Sequence, residues 1–317
     1  MKAINLKMLL QNINYLLAIL DKPFAAKAHP DVLNPLFIVG IPRSGTTLTY
    51  QVISHTFQTA YFPHPMDYCY GASNLIHRSL KPWLTRPKAN FKSNYGYIDG
   101  FLSPTEDAHY WQQWFKEREE QGHYIDPSII NKEEYISLIQ NLSSLTYIMK
   151  KPFVFKSLYL GMVVGVLAQI FPNALFIKVH RDILLTYQSI LTGRFKRKKP
   201  ELWWSIKPPR YLEWNNLSIQ QQIIRQIFHT ERIISDDLER YAKGRYCQIN
   251  YADLCDDPKE CMLTLNQWLN AFGQYEMYPE IDLPAQFSIS NQLRLSEEEQ
   301  QVFMLEYNQL QQNYAKN

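Results

Sequence analysis

The eight residues Gly40-Ile41-Pro42-Arg43-Ser44-Gly45-Thr46-Thr47 bring together the groups needed to hold an anion. They offer an arginine, three hydroxyls and two glycines. An apolar run, Leu36–Val39, precedes them, and Leu48, Tyr50, Val52 and Ile53 follow at near-helical spacing. A strand, a tight loop and a helix start aim backbone N–H groups and the positive end of the helix dipole at one point. The interval from Gly40 to Gly45 matches a nucleotide P-loop, but Thr46 stands where a Walker A loop carries lysine. That lysine reaches the outer phosphates of a nucleoside triphosphate, and the next hydroxyl holds Mg²⁺. Here the cation lies inside the loop, at Arg43, and no acidic strand reads as a Walker B partner. The loop therefore fits an anion other than a triphosphate–metal complex. A P-loop kinase or NTPase is the alternative, and a turn whose glycines serve geometry alone is the simplest one.

The elements that would position such a site follow in order. Pro152–Phe155 reads as a short strand ending at Lys156-Ser157, and Leu160–Ile170 as a helix closed by Phe171-Pro172-Asn173. Ala174–Val179 reads as a second strand, ending at His180-Arg181-Asp182 and opening a helix that carries Tyr187, Gln188 and Ser189. Strand, helix and strand with short joints make a right-handed parallel unit. Its functional groups fall at the strand carboxyl ends, where ligands bind in open α/β sheets. A third block repeats the pattern: strand Tyr246–Asn250, then Tyr251-Ala252-Asp253-Leu254, Asp256-Asp257-Pro258, and a helix with Leu263, Leu265, Trp268 and Leu269 on its apolar positions.

Taken together, these blocks resemble sulfotransferases that use 3′-phosphoadenylyl sulfate (PAPS), and look closest to bacterial enzymes related to the tyrosylprotein and heparan types. The blocks run in family order from Leu36 to Phe272. The resemblance implies an α/β, P-loop-like three-layer fold with a central parallel β-sheet flanked by helices, plus a helical insertion covering the active site. It implies that Pro42, Arg43, Ser44, Gly45, Thr46 and Thr47 hold the 5′-phosphosulfate. Arg181 and Ser189, eight residues apart, would bind the 3′-phosphate, with Tyr251 and Arg194 as further donor contacts. Arg43 and Lys156 would stabilise the leaving phosphate, 3′,5′-ADP (PAP) would be the product, and no metal is required. Sulfuryl transfer, like phosphoryl transfer, asks the protein mainly to position and neutralise.

A hydroxyl acceptor needs a general base. His64 lies 21 residues after Arg43, the separation at which tyrosylprotein sulfotransferases place a catalytic glutamate. Histidine titrates near neutral pH without tuning. Glu106, Asp107 and His109 form the rival cluster, and the order of preference is His64, Glu106, Asp67. His55 sits on the loop helix and His180 precedes Arg181, so both read as structural.

Composition bounds the rest. A chain of 317 residues with 46% hydrophobic content can bury a sizeable core, and no linker, repeat or low-complexity stretch divides it. One domain over 1–317 is expected, with an N-terminal helix within 1–30, a helical acceptor-side insertion over 60–150 and a lid over 192–215. The lid carries Arg194, four successive cations from Lys196 to Lys199, and Trp203 and Trp204. A net charge of +3 does not imply nucleic acid. The four cysteines lack CxxC spacing, which fits reduced thiols in the cytoplasm. Leu6, Leu9, Leu10, Ile13, Leu16, Leu17 and Leu20 recur at helical spacing but make no run long enough to span a membrane. This helix is expected to pack on its own domain or on a partner, including a second copy of the chain. The acceptor expected is a small molecule such as a natural product, taking sulfate on a hydroxyl or an amine. The remaining alternative is a non-catalytic nucleotide- or glycan-binding relative that keeps Arg43, Arg181 and Ser189 but has no working base.

Overall fold

Apolar runs too short for helices build the sheet. In the computed structural model, which describes residues 6–25, 34–92, 97–118, 120–288 and 292–316, β1 (Leu36–Val39), β2 (Val154–Lys156), β3 (Leu175–His180) and β4 (Tyr246–Asn250) are ordered β2-β1-β3-β4. Residues 1–5 and 26–30 of the expected N-terminal segment lie outside these bounds. Every strand pair is parallel, with Phe37 beside both Phe155 and Phe176. No β1 residue is more than 1% exposed. A strand buried on both faces needs continuous apolar sequence, and Leu36–Val39 supplies it.

The helices are α1 (Leu6–Asp21), α2 (Thr46–Thr56), α3 (Pro65–Tyr68), α4 (Ser73–Leu80), α5 (Ala108–Trp114) and α6 (Ile136–Met149), then α7 (Val164–Ile170), α8 (Ile183–Phe195), α9 (Ile219–Tyr241), α10 (Tyr251–Asp256), α11 (Pro258–Asn270) and α12 (Glu297–Ala315). The expected helix over Leu160–Ile170 is divided. A 3₁₀ turn covers Leu158–Met162, Val163 leaves helical geometry at φ of −133° and ψ of 22°, and α7 begins after it. Two adjacent valines and Gly161 weaken the helix here. A side chain at Gly161 would also meet Ile234 at 2.9 Å. The three-block pattern does not place α9 or α12, although Ser218 with Gln221 and Ser296 with Glu299 both close capping boxes. These helices bury Ile223, Ile227, Phe228, Phe303 and Tyr307 in a second apolar cluster that includes Ile41 of the anion loop.

The aromatic residues of the insertion are largely core. Trp111 stacks edge-on against Phe37 and Phe155, and Phe62 packs edge-on against Tyr110, Phe153 and Phe155. α1 turns two polar side chains inward. Asn14 bonds to Leu10 and Tyr68 carbonyls and to the Gly71 amide, while the Asp21 carboxylate accepts from the Asn74 and Leu75 amides and so caps α4. Leu9, Ile13, Leu16 and Leu20 remain exposed on α1. Among the described residues no helix is long and apolar enough to cross a membrane.

Candidate active site

The carboxyl ends of all four strands converge on one cavity of about 230 Å³. Pro42, Arg43, Gly45, Thr46, Thr47 and Leu48 line it after β1, Lys156 and Leu158 at β2, Arg181 after β3 and Tyr251 after β4. Glu106 from the insertion, with Trp204 and Ser205 from the expected lid, complete the wall.

The loop takes its shape from two left-handed residues. Gly45 has φ of 101°, and a Cβ there would fall 2.0 Å from the Tyr251 ring, so only glycine fits. Arg43, at φ of 68°, is held in a conformation costly for a side-chain-bearing residue. Its Nε donates to Ser189 Oγ at 3.1 Å, and its carbonyl accepts from Arg181 Nη1 at 3.1 Å. Arg181 in turn lies over the Tyr251 ring at 4.9 Å. Arg43, Arg181, Ser189 and Tyr251 are thus one connected unit, although the sequence spreads them over three blocks. α2 starts at Thr46, so the N–H groups of its first turn have no partners within the helix and are available to an anion. Ser44 Oγ is buried without a hydrogen-bond partner among the described residues. Burial pushes Tyr251 up to about 12, so it enters the site as an uncharged phenol.

Opposite the loop, Lys156 Nζ pairs with Glu106 Oε1. The Lys156 side chain is only 3% exposed, whereas that of Glu106 is 28% exposed and reaches the cavity. A buried ammonium needs a counter-charge, and the carboxylate supplies it. The pair places a cation and a proton acceptor in contact at the edge of an anion-binding loop.

Residues 35–271 match the model of the sulfotransferase family. The chain belongs to that family. Its fold is similar to a crystal structure of sulfotransferase STF9 from Mycobacterium avium at 16% identity and a TM-score of 0.53, covering 87% of this chain and 76% of that one. Sulfotransferase STF1 from Mycobacterium tuberculosis H37Rv aligns at 16% identity and a TM-score of 0.47, covering 93% and 78% respectively. A sulfotransferase domain from the curacin biosynthetic pathway aligns at 16% identity and a TM-score of 0.42, covering 80% and 78%. No curated protein matches the sequence.

Within this sulfotransferase, several residues expected at the site lie elsewhere. His64 does not line the cavity; its Nε2 lies 2.5 Å from the Ile98 carbonyl and its Nδ1 3.3 Å from Asp67 Oδ2. Arg194 is turned into its own loop, donating to the carbonyls of Pro200 and Glu201 at 2.7 and 3.3 Å and to Gln222 Oε1 at 2.5 Å. It is 2% exposed and ties the loop end to α9 rather than facing the cavity. Ser44 and Ser189 stand behind the lining, Ser189 reaching it through Arg43. Of the rival acidic cluster, only Glu106 faces the cavity. Asp107 is fully buried at φ of 55°, with both carboxylate oxygens unpartnered among the described residues. Burial, reinforced by Asp67 and Glu106, raises its pKa well above the usual carboxylate range, which favours its uncharged form. His109 is exposed and its ring stacks on Tyr70. The Ser103 and Thr105 hydroxyls donate to the Asp99 carbonyl and to Asp67. Leu158 is a wall residue that motif spacing does not signal, whereas Trp204 and Ser205 come from the expected lid. His55 bonds to the carbonyls of Pro87 and Asp282, which fits a structural part.

A larger cavity of about 420 Å³ lies among α1, α4, α5 and α6 and shares no lining residue with the first.

Proposed function

We propose that this chain transfers the sulfuryl group of PAPS to a hydroxyl or amine of a small-molecule acceptor by in-line displacement, releasing 3′,5′-ADP. One observation carries the reading: a lysine-free P-loop, Arg181 and the Lys156–Glu106 pair line a single cavity. The donor supplies an activated sulfuryl group on a phosphate leaving group. The first-turn amides of α2 and Arg43 bind the end that reacts. Arg181 binds the second phosphate, with Ser189 joined to the same unit through Arg43, and Tyr251 shields that contact with its ring. Lys156 offsets charge on the phosphate as it leaves, a preorganised role whose loss typically costs about 2.7–4 kcal/mol of barrier.

Glu106 takes the acceptor's proton. His64, the first choice from spacing, has both ring nitrogens engaged, so Glu106 is the base assigned here. Leu48, Leu158 and Trp204 give the cavity an apolar side suited to the body of a small acceptor. The segment 192–215 acts as the lid, with Trp204 and Ser205 as its contact points. A charge-neutral acceptor hydroxyl needs no further cation.

Calorimetry with 3′,5′-ADP against ATP·Mg²⁺ tests the donor. Tight, metal-independent binding of the bisphosphate that Arg181→Ala weakens supports the reading. Equal affinity for 5′-AMP and 3′,5′-ADP would reject it, because the second phosphate would then have no site.

A further inference from the structure

The carboxylate of Glu106 has three rotatable bonds behind it, and the contact with Lys156 fixes only its tip. Its root is set by a separate arrangement. The insertion segment Pro104-Thr105 runs antiparallel to Phe62-Pro63, bridging at Pro63 and Pro104, and the Thr105 N–H donates to the Phe62 carbonyl at 2.9 Å. Proline has no N–H, so neither bridging residue can donate a further main-chain bond. Side chains supply the missing constraint. Thr105 Oγ1 donates to Asp67 Oδ2 at 2.6 Å, and His64 Nδ1 lies 3.3 Å from the same oxygen. On the other side of Glu106, Asp107 is buried in a left-handed conformation. Glu106 therefore stands between two pinned neighbours.

The chemistry of His64 follows from its contacts. A carbonyl oxygen only accepts, so Nε2 carries hydrogen toward Ile98. Nδ1 faces a carboxylate oxygen, and that contact is attractive only when one proton lies between the two atoms. Whichever of the two holds it, His64 has no free lone pair to offer an acceptor molecule.

We propose that His64, Asp67 and Thr105 form a brace that sets the position of Glu106, making them positioning residues; this rests on the reading of Glu106 as the base. His64 anchors Asp67 from the Ile98 carbonyl, Asp67 holds the Thr105 hydroxyl, and Thr105 fixes the residue that follows it.

The test uses the full chain labelled with ¹³C at glutamate carboxyls, the Glu106 signal being the one absent in Glu106→Gln. Thr105→Val removes the hydroxyl and keeps the shape of the side chain. It should shift the Glu106 signal, and it should lower kcat for sulfation of 4-nitrophenol roughly tenfold or more while 3′,5′-ADP affinity stays within about twofold. Thr105→Ser should restore both. His64→Asn keeps a donor at the Nδ1 position but loses the reach to Ile98, so its turnover should fall no further than that of Thr105→Val, whereas a base at position 64 would lose roughly a hundredfold or more. An unmoved Glu106 signal in Thr105→Val overturns the brace, and so does a His64→Asn chain that is far less active than Thr105→Val. If the native chain does not sulfate 4-nitrophenol, the carboxyl signal alone decides: a shift restored by Thr105→Ser supports the brace, and no shift rejects it. Normal turnover in Glu106→Gln with a moved signal in Thr105→Val would reject Glu106 as base while leaving the brace intact.

Discussion

Arg43, Gly45, Arg181 and Tyr251 reach the cavity from residues soon after the ends of parallel strands, whereas Glu106 arrives on a loop whose Thr105 is held by Asp67, 38 positions earlier. The proposed donor side is made by local geometry: strand ends, one helix start and two left-handed residues. The proposed acceptor side is made by contacts between segments far apart in sequence. Charge is handled differently too. On the proposed donor side the arginines are knitted to Ser189 and to a main-chain carbonyl, so contacts within the fold orient them. On the proposed acceptor side a buried lysine and a part-exposed carboxylate hold one another, and Asp107, whose pKa burial raises, lies next in the chain. Affinity for the donor and rate of transfer should therefore separate cleanly under mutation.

The largest effect should come from Glu106→Gln. It keeps the shape and removes the proton acceptor, so kcat should fall by roughly 10²–10⁴ while 3′,5′-ADP affinity barely changes. A parallel loss of affinity, read by calorimetry, would show that the two halves are not separable. Arg181→Ala should do the reverse, weakening 3′,5′-ADP by about 100-fold through the loss of charge-assisted bonds. Gly45→Ala should cost about 1–3 kcal/mol, since φ of 101° strains alanine and its Cβ overlaps Tyr251. Adding Tyr251→Ala should recover only the overlap part of that loss, measured as Tm.

Acid should loosen the acceptor side before the donor side. His123 accepts from the Lys207 N–H through Nδ1 at 3.0 Å, while Glu117 bonds Lys207 Nζ at 2.7 Å and joins the insertion to the end of the lid segment. Burial lowers His123 from 6.5 to about 4, against the pull of Glu117. Above pH 6.5 neither the folded nor the unfolded chain binds this proton, so stability is fully present. As pH falls from 6.5 toward 4, the unfolded chain takes up a proton that the folded chain lacks, and stability drops by roughly 2 kcal/mol near pH 4.5. His123→Asn keeps an acceptor for Lys207 and should flatten that part of the pH–stability curve in denaturant titrations. The smallest functional effect belongs to Arg194→Met. It should lower Tm, because the guanidinium holds three acceptors, but leave 3′,5′-ADP affinity within about twofold.

Legibility in the sequence followed the same division. The strand Leu36–Val39, the glycine at 45, the cation at 43 and the arginine after β3 all stand out because P-loop geometry is a property of a few consecutive residues. The parallel sheet was equally legible, since each strand is an apolar run with a functional residue at its end. The base was not. Spacing favoured His64 over Glu106, but spacing along the chain says nothing about which of two loops turns its side chain toward the cavity. Arg194 was misplaced for a similar reason: a cation in a basic loop looks free until Pro200, Glu201 and Gln222 are seen around it.

By itself, then, the sequence determined an anion loop without a Walker lysine, a second arginine one strand away, and the order of elements that brings them together, because hydrogen bonding and sterics within a few residues dictate those features. Tertiary structure decided which carboxylate meets Lys156, which one is buried, and why His64 faces Asp67 and Ile98 instead of the cavity. Those outcomes depend on how the segments near 62, 104 and 156 pack against one another, and only the folded chain brings them into contact.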